Sequence, residues 1–100
     1  MPVARPVVFT PAAGAEVAEA QAWYEAQAPG LGVRFRAELE AAVQRLAANP
    51  EGFPVVLRDV RRARLRRFPY GLFYRVRPDA LVVLACFHAR RDPRRWQERV

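Results

Sequence analysis

The chain has 100 residues, 52% of them hydrophobic, with a formal net charge of +7 and one cysteine. That is the length of about one domain, and a chain of this size buries roughly 60–65% of its unfolded surface, so residues 1–100 are expected to form a single core without metal or disulfide support. One cysteine excludes an intramolecular disulfide and a multi-cysteine metal site, and no apolar run approaches the ~20 residues of a membrane span.

The opening MPVARPVVFTP reads as the approach to a strand at 6–11 rather than as a signal peptide. Residues 12–28 then place Ala13, Val17, Ala20 and Tyr24 on one helical stripe, with Glu16, Glu19 and Glu25 off it on solvent-facing positions. Pro29-Gly30-Leu31-Gly32 stops that helix. A second stripe, Phe35, Leu39, Val43 and Leu46, predicts a helix over 33–50 that closes at Asn49-Pro50. Two helices with so short a joint predict an antiparallel hairpin.

After Pro54 the apolar period shortens to about 2. Strands are predicted at 55–60, 62–68, 71–77 and 80–88, with turns at Pro69-Tyr70-Gly71 and Pro78-Asp79. The third alternates, with Leu72, Tyr74 and Val76 on one face and Phe73, Arg75 and Arg77 on the other. The fourth is apolar on both faces, as a central strand is, and Cys86 within it reads as a buried filler. The expected fold is α+β, in the order β-α-α-β-β-β(-β): a two-layer domain with a helical hairpin on one face of an antiparallel sheet.

The charge divides unevenly. Residues 1–53 carry four arginines against six glutamates, whereas residues 54–100 carry 13 arginines against Asp59, Asp79, Asp92 and Glu98. Arg62, Arg64 and Arg66 alternate onto one face of the second predicted strand, and with Arg75 and Arg77 they are expected to form a cationic sheet surface, extended by Arg90, Arg91, Arg94, Arg95 and Arg99. Such a surface calls for an anionic partner: RNA, DNA or an acidic protein segment. With Phe68, Tyr70 and Phe73 among the arginines to stack on bases, one reading is a nucleic-acid-binding module. Every cation is arginine, so no lysine is available as a base or Schiff-base former. His88, the one histidine, is either a packed strand-end residue or an acid–base group.

These pieces, in order, resemble a known family. A strand, a helix containing AWYE, PGLGVRF opening a second helix, LAANPEGFP, then RRFPYGLFYRV and HARRDPRRWQER are similar to the ParE branch of the RelE/ParE toxin superfamily. The resemblance covers about residues 5–99 and implies the RelE-like fold. It also implies a cytoplasmic, growth-inhibiting toxin of a type II toxin–antitoxin (plasmid stabilisation) module, without cofactor or metal. Its partner would be a cognate antitoxin whose acidic C-terminal segment wraps the toxin and whose N-terminal domain binds operator DNA. RelE-like members cut mRNA on the ribosome, which needs proton transfer at the 2′-hydroxyl and leaving oxygen and cations over the phosphorane.

In that branch the basic cluster maps to Arg62, Arg64 and Arg66 and a late arginine to Arg91. A further arginine falls on Gly71, and the C-terminal tyrosine falls near Trp96-Gln97. His88 would have to replace a missing acid or base, leaving Arg66, His88 and Arg91 as the catalytic set. ParE-like members poison DNA gyrase and have no hydrolytic site, and the departures at Gly71 and Trp96 fit them better. On that reading Arg62, Arg64, Arg75, Arg77, Arg90, Arg94 and Arg95 contact the target. Tyr70, Tyr74 and Trp96 anchor the fold, and His88 and Arg91 are structural or contact residues, with Arg90, Arg91 and Asp92 pinning the turn before Pro93. The expectation is therefore a gyrase inhibitor rather than an enzyme, with a ribosome-dependent mRNA endonuclease as the alternative.

Overall fold

The computed structural model describes residues 5–100; the first four residues of the opening segment, with any reading of them as leader or strand approach, lie outside it. The elements are β1 (Val7–Phe9), α1 (Pro11–Gln27), α2 (Leu31–Ala48), β2 (Val55–Leu57), β3 (Val60–Arg64), β4 (Tyr70–Val76), β5 (Leu81–His88) and a short α3 (Arg94–Gln97). One sheet has the order β1-β5-β4-β3-β2. The helical hairpin lies on one face, as expected, and β5 is central. The sheet is antiparallel except at its first strand, because β1 pairs parallel to β5 through Val7–Leu81, Val8–Val82 and Phe9–Val83.

Local chemistry accounts for the element ends. Thr10 caps α1 by accepting the Ala13 N–H at 3.1 Å, with Pro11 at the first helical position. The hairpin turn is tied by Glu25, whose carboxylate accepts the Gly30 N–H at 3.0 Å and the Gly32 N–H at 3.0 Å. Gly32 is needed there for close approach. A Cβ on it would stand 2.8 Å from the Gln21 carbonyl oxygen of α1. Glu25 thus has a structural partner rather than a purely solvated one, and Glu16 does too, as described below.

The inner face of the sheet meets both helices. Ala13, Val17 and Ala20 of α1 and Phe35, Leu39, Ala42 and Leu46 of α2 are buried against Ala63, Leu72, Tyr74, Leu81, Val83 and Cys86. The α2 stripe runs through Ala42, with Val43 at its margin. Tyr74 is fully buried, and its hydroxyl donates to the Pro50 carbonyl at 2.6 Å.

The outer face carries a second, smaller core of Val60, Phe73, Leu84, Ala85 and Phe87, closed by Trp96 of α3. Trp96 stacks on Phe73 with ring centroids 4.2 Å apart and 28° between planes. A bulge in β5 divides the faces: Tyr74 pairs with Val83 and Phe73 with Ala85, so Leu84 is an extra residue. β1 ends at this level, and side chains serve the β5 edge beyond it. Glu16 accepts the Cys86 N–H at 3.1 Å, and Arg99 donates to the Leu84 carbonyl at 2.9 Å and pairs with Glu16 at 2.8 Å.

Two predicted strands are shorter than the periodicity indicates. β2 stops at Leu57 because Arg58 takes a left-handed backbone (φ 52), and β3 stops at Arg64 before a loop in which Arg67 does the same (φ 66). Arg66 therefore lies in a loop, not on the strand with Arg62 and Arg64.

Candidate functional site

The strand register decides which arginines gather. Arg64 pairs with Gly71, and Tyr70 pairs with His88. The end of β3, the start of β4 and the end of β5 therefore share one end of the sheet. Arg62, Arg64, Arg66 and Arg67 reach it from β3 and its loop, and Arg90 and Arg91 from the turn after β5. None of these takes part in the ion pairs found among the described residues, and neither does Arg95.

Several other arginines are engaged or lie elsewhere. Arg75 pairs with Asp59 at 3.0 Å, and it stands four residues along β4 from Gly71, ~13 Å away. Arg77 lies beyond it, its carbonyl accepting from Arg5 at 3.1 Å. Arg94 pairs with Asp92 at 2.7 Å, and Asp92 also accepts the Arg94 N–H at 3.0 Å, so Asp92 opens α3 through Arg94 rather than pinning Arg90 or Arg91. These hydrogen bonds hold the Asp92 carboxyl below the ordinary carboxylate range. Arg61 points to the other face, donating to the Glu51 and Phe53 carbonyls at 3.0 and 2.6 Å.

Two concavities meet at this end. A cleft of about 630 Å³ on the outer face is lined by Arg62, Arg64, Tyr70, Gly71, Phe73, His88, Arg91 and Trp96, among others. A second, of about 430 Å³, lies beside α1 and is lined by Glu16, Glu19, Trp23, Tyr24, Tyr70, Cys86, His88 and Arg91. His88 and Arg91 stand on the ridge between them. Arg66 lines neither; it borders a shallower depression with Arg45, Phe53, Arg62 and Arg64.

The His88 ring meets Tyr70 edge-on at 5.1 Å, and its Nδ1 accepts the Arg90 N–H at 3.0 Å. Burial raises the Tyr70 hydroxyl above its ordinary range, with Tyr24 adding to the rise and Arg91 opposing it. Burial, then the nearby Glu16, pushes the Cys86 thiol up to about 12, which leaves it protonated and unreactive at neutral pH.

Gly71 lets the Arg62 stem cross the strand. A Cβ on Gly71 would stand 3.2 Å from Arg62 Cγ and 3.4 Å from its Cδ. The crossing leaves Arg62 Nε buried without a hydrogen-bond partner. Burial, and then Arg64, lowers the Arg62 guanidinium below the ordinary arginine range. Among the described residues no group of three or more His, Cys, Asp or Glu could hold a metal ion, and no helix is long and apolar enough to cross a membrane.

Stacking on bases finds little support in this geometry. Tyr70 and Phe73 are each 8% exposed, with Phe73 covered by Trp96 and Tyr70 set against Phe35 and Tyr24. Trp23 is the large exposed aromatic, at 57%, and the sequence reading passed over it because it sits beside the apolar stripe of α1 rather than in a basic motif. The Glu16–Arg99 clasp was also missed. It joins residues 83 apart in sequence, and no local pattern announces it.

No curated protein sequence matches the chain. Among solved structures, one described as the chromosomal ParDE TA system from P. aeruginosa superposes with a TM-score of 0.73 at 21% identity, covering 85% of this chain and 96% of that one. At that identity the likeness speaks for the fold. The model of the family described as "ParE toxin of type II toxin-antitoxin system, parDE" matches residues 7–93, most of the chain. The chain belongs to the ParE toxin family of type II toxin–antitoxin systems.

Proposed function

We propose that this toxin acts in the cytoplasm as a protein inhibitor of DNA gyrase, with no hydrolytic site of its own, and that residues 1–100 form a single toxin domain. Membership of the family gives it a cognate antitoxin as partner. We further propose that the antitoxin neutralises it through an acidic C-terminal segment, and ties it to operator DNA through its own N-terminal domain. One observation carries the gyrase reading: the groups that nuclease chemistry needs are not gathered around one point. Arg66 lines a different depression from His88 and Arg91, and Gly71 offers no side chain. What remains is a cationic end suited to contact, to which Arg62, Arg64, Arg90 and Arg95 contribute; Arg75 and Arg77 stand at the far end of β4, and Arg94 is held by Asp92.

Expression of the toxin without its antitoxin tests this. The expected result is induction of the DNA-damage response and loss of plasmid supercoiling; prompt arrest of translation with cleaved mRNA would overturn it. The second reading, a ribosome-dependent endonuclease, draws support from His88 and Arg91 sharing a cleft with Arg62 and Arg64. Under it, His88→Ala abolishes toxicity while antitoxin binding persists. Under the gyrase reading that variant stays toxic.

A further inference from the structure

Arg62 is placed differently from the other arginines at the cationic end. Arg64, Arg66 and Arg67 are exposed, whereas the Arg62 stem is laid across β4, over the one residue of that strand with no Cβ. Arg62 is already dehydrated at its buried, unpartnered Nε, so its guanidinium has less hydration left to lose when its terminal N–H groups receive an acceptor. Arg64 and Arg91, which also line the cleft, add positive potential.

The walls define what accompanies the anion. Phe73 and Trp96 are stacked on each other and are 8% and 3% exposed, so no ring face is free to take a base, while the parts of them and of Phe87 that line the cleft supply an apolar surface. A carboxylate flanked by an aliphatic side chain fits that pairing of cation and apolar wall better than a nucleotide does.

We propose that the outer cleft is a carboxylate pocket: Arg62, carried across Gly71, receives an Asp or Glu side chain of an acidic peptide segment, and an aliphatic neighbour of that residue packs on the Phe73–Trp96 wall. The inference rests on the reading that the antitoxin segment is acidic, and it names where one of its charges goes. Gly71 then has a role of its own, keeping the path of the arginine open.

The test uses the full chain with Trp23→Phe, so that fluorescence reports on Trp96. It is titrated at ~0.15 M salt with an acetylated peptide of alternating glutamate and leucine, with oligoglutamate of equal charge, and with a thymidine oligonucleotide. The mixed peptide is expected to bind tightest. Arg62→Gln should weaken it at least about tenfold, and Arg62→Lys, which keeps the charge but not the fork, should not restore it. Gly71→Val leaves the net charge at +7 and should weaken binding by displacing Arg62. Should that variant fail to fold by circular dichroism, Gly71→Ala carries the same 3.2 Å contact with one methyl group. Arg66→Gln, which removes one charge from the same end but outside the cleft, should change binding less than about threefold.

Equal losses in Arg62→Gln and Arg66→Gln, or no loss in either, overturn the pocket while leaving an acidic partner in place. Absence of binding by every acidic probe overturns both. Tightest binding by the oligonucleotide, with the same dependence on Arg62, overturns the carboxylate assignment in favour of phosphate.

Discussion

The two faces of the sheet are built on different plans. The inner face is roofed by two long helices, and its core joins residues of every element except β2 and α3. The outer face is roofed by a four-residue helix and a few residues around it, with one tryptophan supplying most of the closure. The inner face holds the fold together, and the outer face leaves a cleft beside its small core. The cationic end of the sheet opens onto that cleft, where little structure has to be disturbed to admit a partner.

The largest test of this difference compares one aromatic from each side. Phe35→Ala should cost about 3–5 kcal/mol and lower the denaturation midpoint of the whole chain. Trp96→Ala should cost about 3 kcal/mol, and native-state hydrogen exchange should then show lost protection in residues 89–100 while α1 and α2 keep theirs. Uniform loss of protection in the tryptophan variant would mean that the faces unfold as one and the distinction fails.

The clasp between the faces comes next. Glu16 and Arg99 are largely shielded, with side chains 16% and 29% exposed, and Glu16 also serves the Cys86 N–H. Glu16→Gln should cost about 1–3 kcal/mol. In a double-mutant cycle with Arg99→Gln the losses should not add; simple additivity would show that the two residues act independently. A smaller loss, about 1 kcal/mol, is expected for Glu25→Ala in a urea titration, because the hairpin turn keeps its packing and loses two N–H acceptors.

The smallest effect appears at high pH. Burial raises Tyr24, Tyr70 and Tyr74 above the ordinary tyrosine value. The unfolded chain then ionises first, so stability is complete below pH ~10 and declines as pH rises through the folded values. Tyrosinate absorbance should emerge above pH ~10 together with loss of structure. Ionisation at the ordinary pH with the fold intact would contradict the burial of these rings.

Much of this architecture is legible from the sequence, and the exceptions share a cause. The helices announce themselves through Ala13–Val17–Ala20 and Phe35–Leu39–Leu46, and β5 through an apolar run too continuous for an edge strand. Three-residue β1 has no periodicity to reveal a partner, so its parallel place beside β5 was not foreseen. The run of arginines around Leu65 looks like one alternating strand, but the left-handed turn at Arg67 removes Arg66 from it, and backbone sign is not written in polarity. Arg75 looked like a member of the cationic surface because its partner Asp59 sits 16 residues away across a hairpin. Local pattern reports local structure; ion pairing between distant segments, which decides which charges stay available, waits on the register.

Leu84 has a bearing on how this chain is set beside its relatives. The extra residue changes the parity of β5, so odd and even positions exchange faces on passing it. A relative lacking the bulge, matched position by position through this strand without a gap, would have its counterparts of Phe87 and His88 assigned to the wrong sides. Roles transferred along such a match would be wrong by one residue and by the whole thickness of the sheet, even where the letters agree.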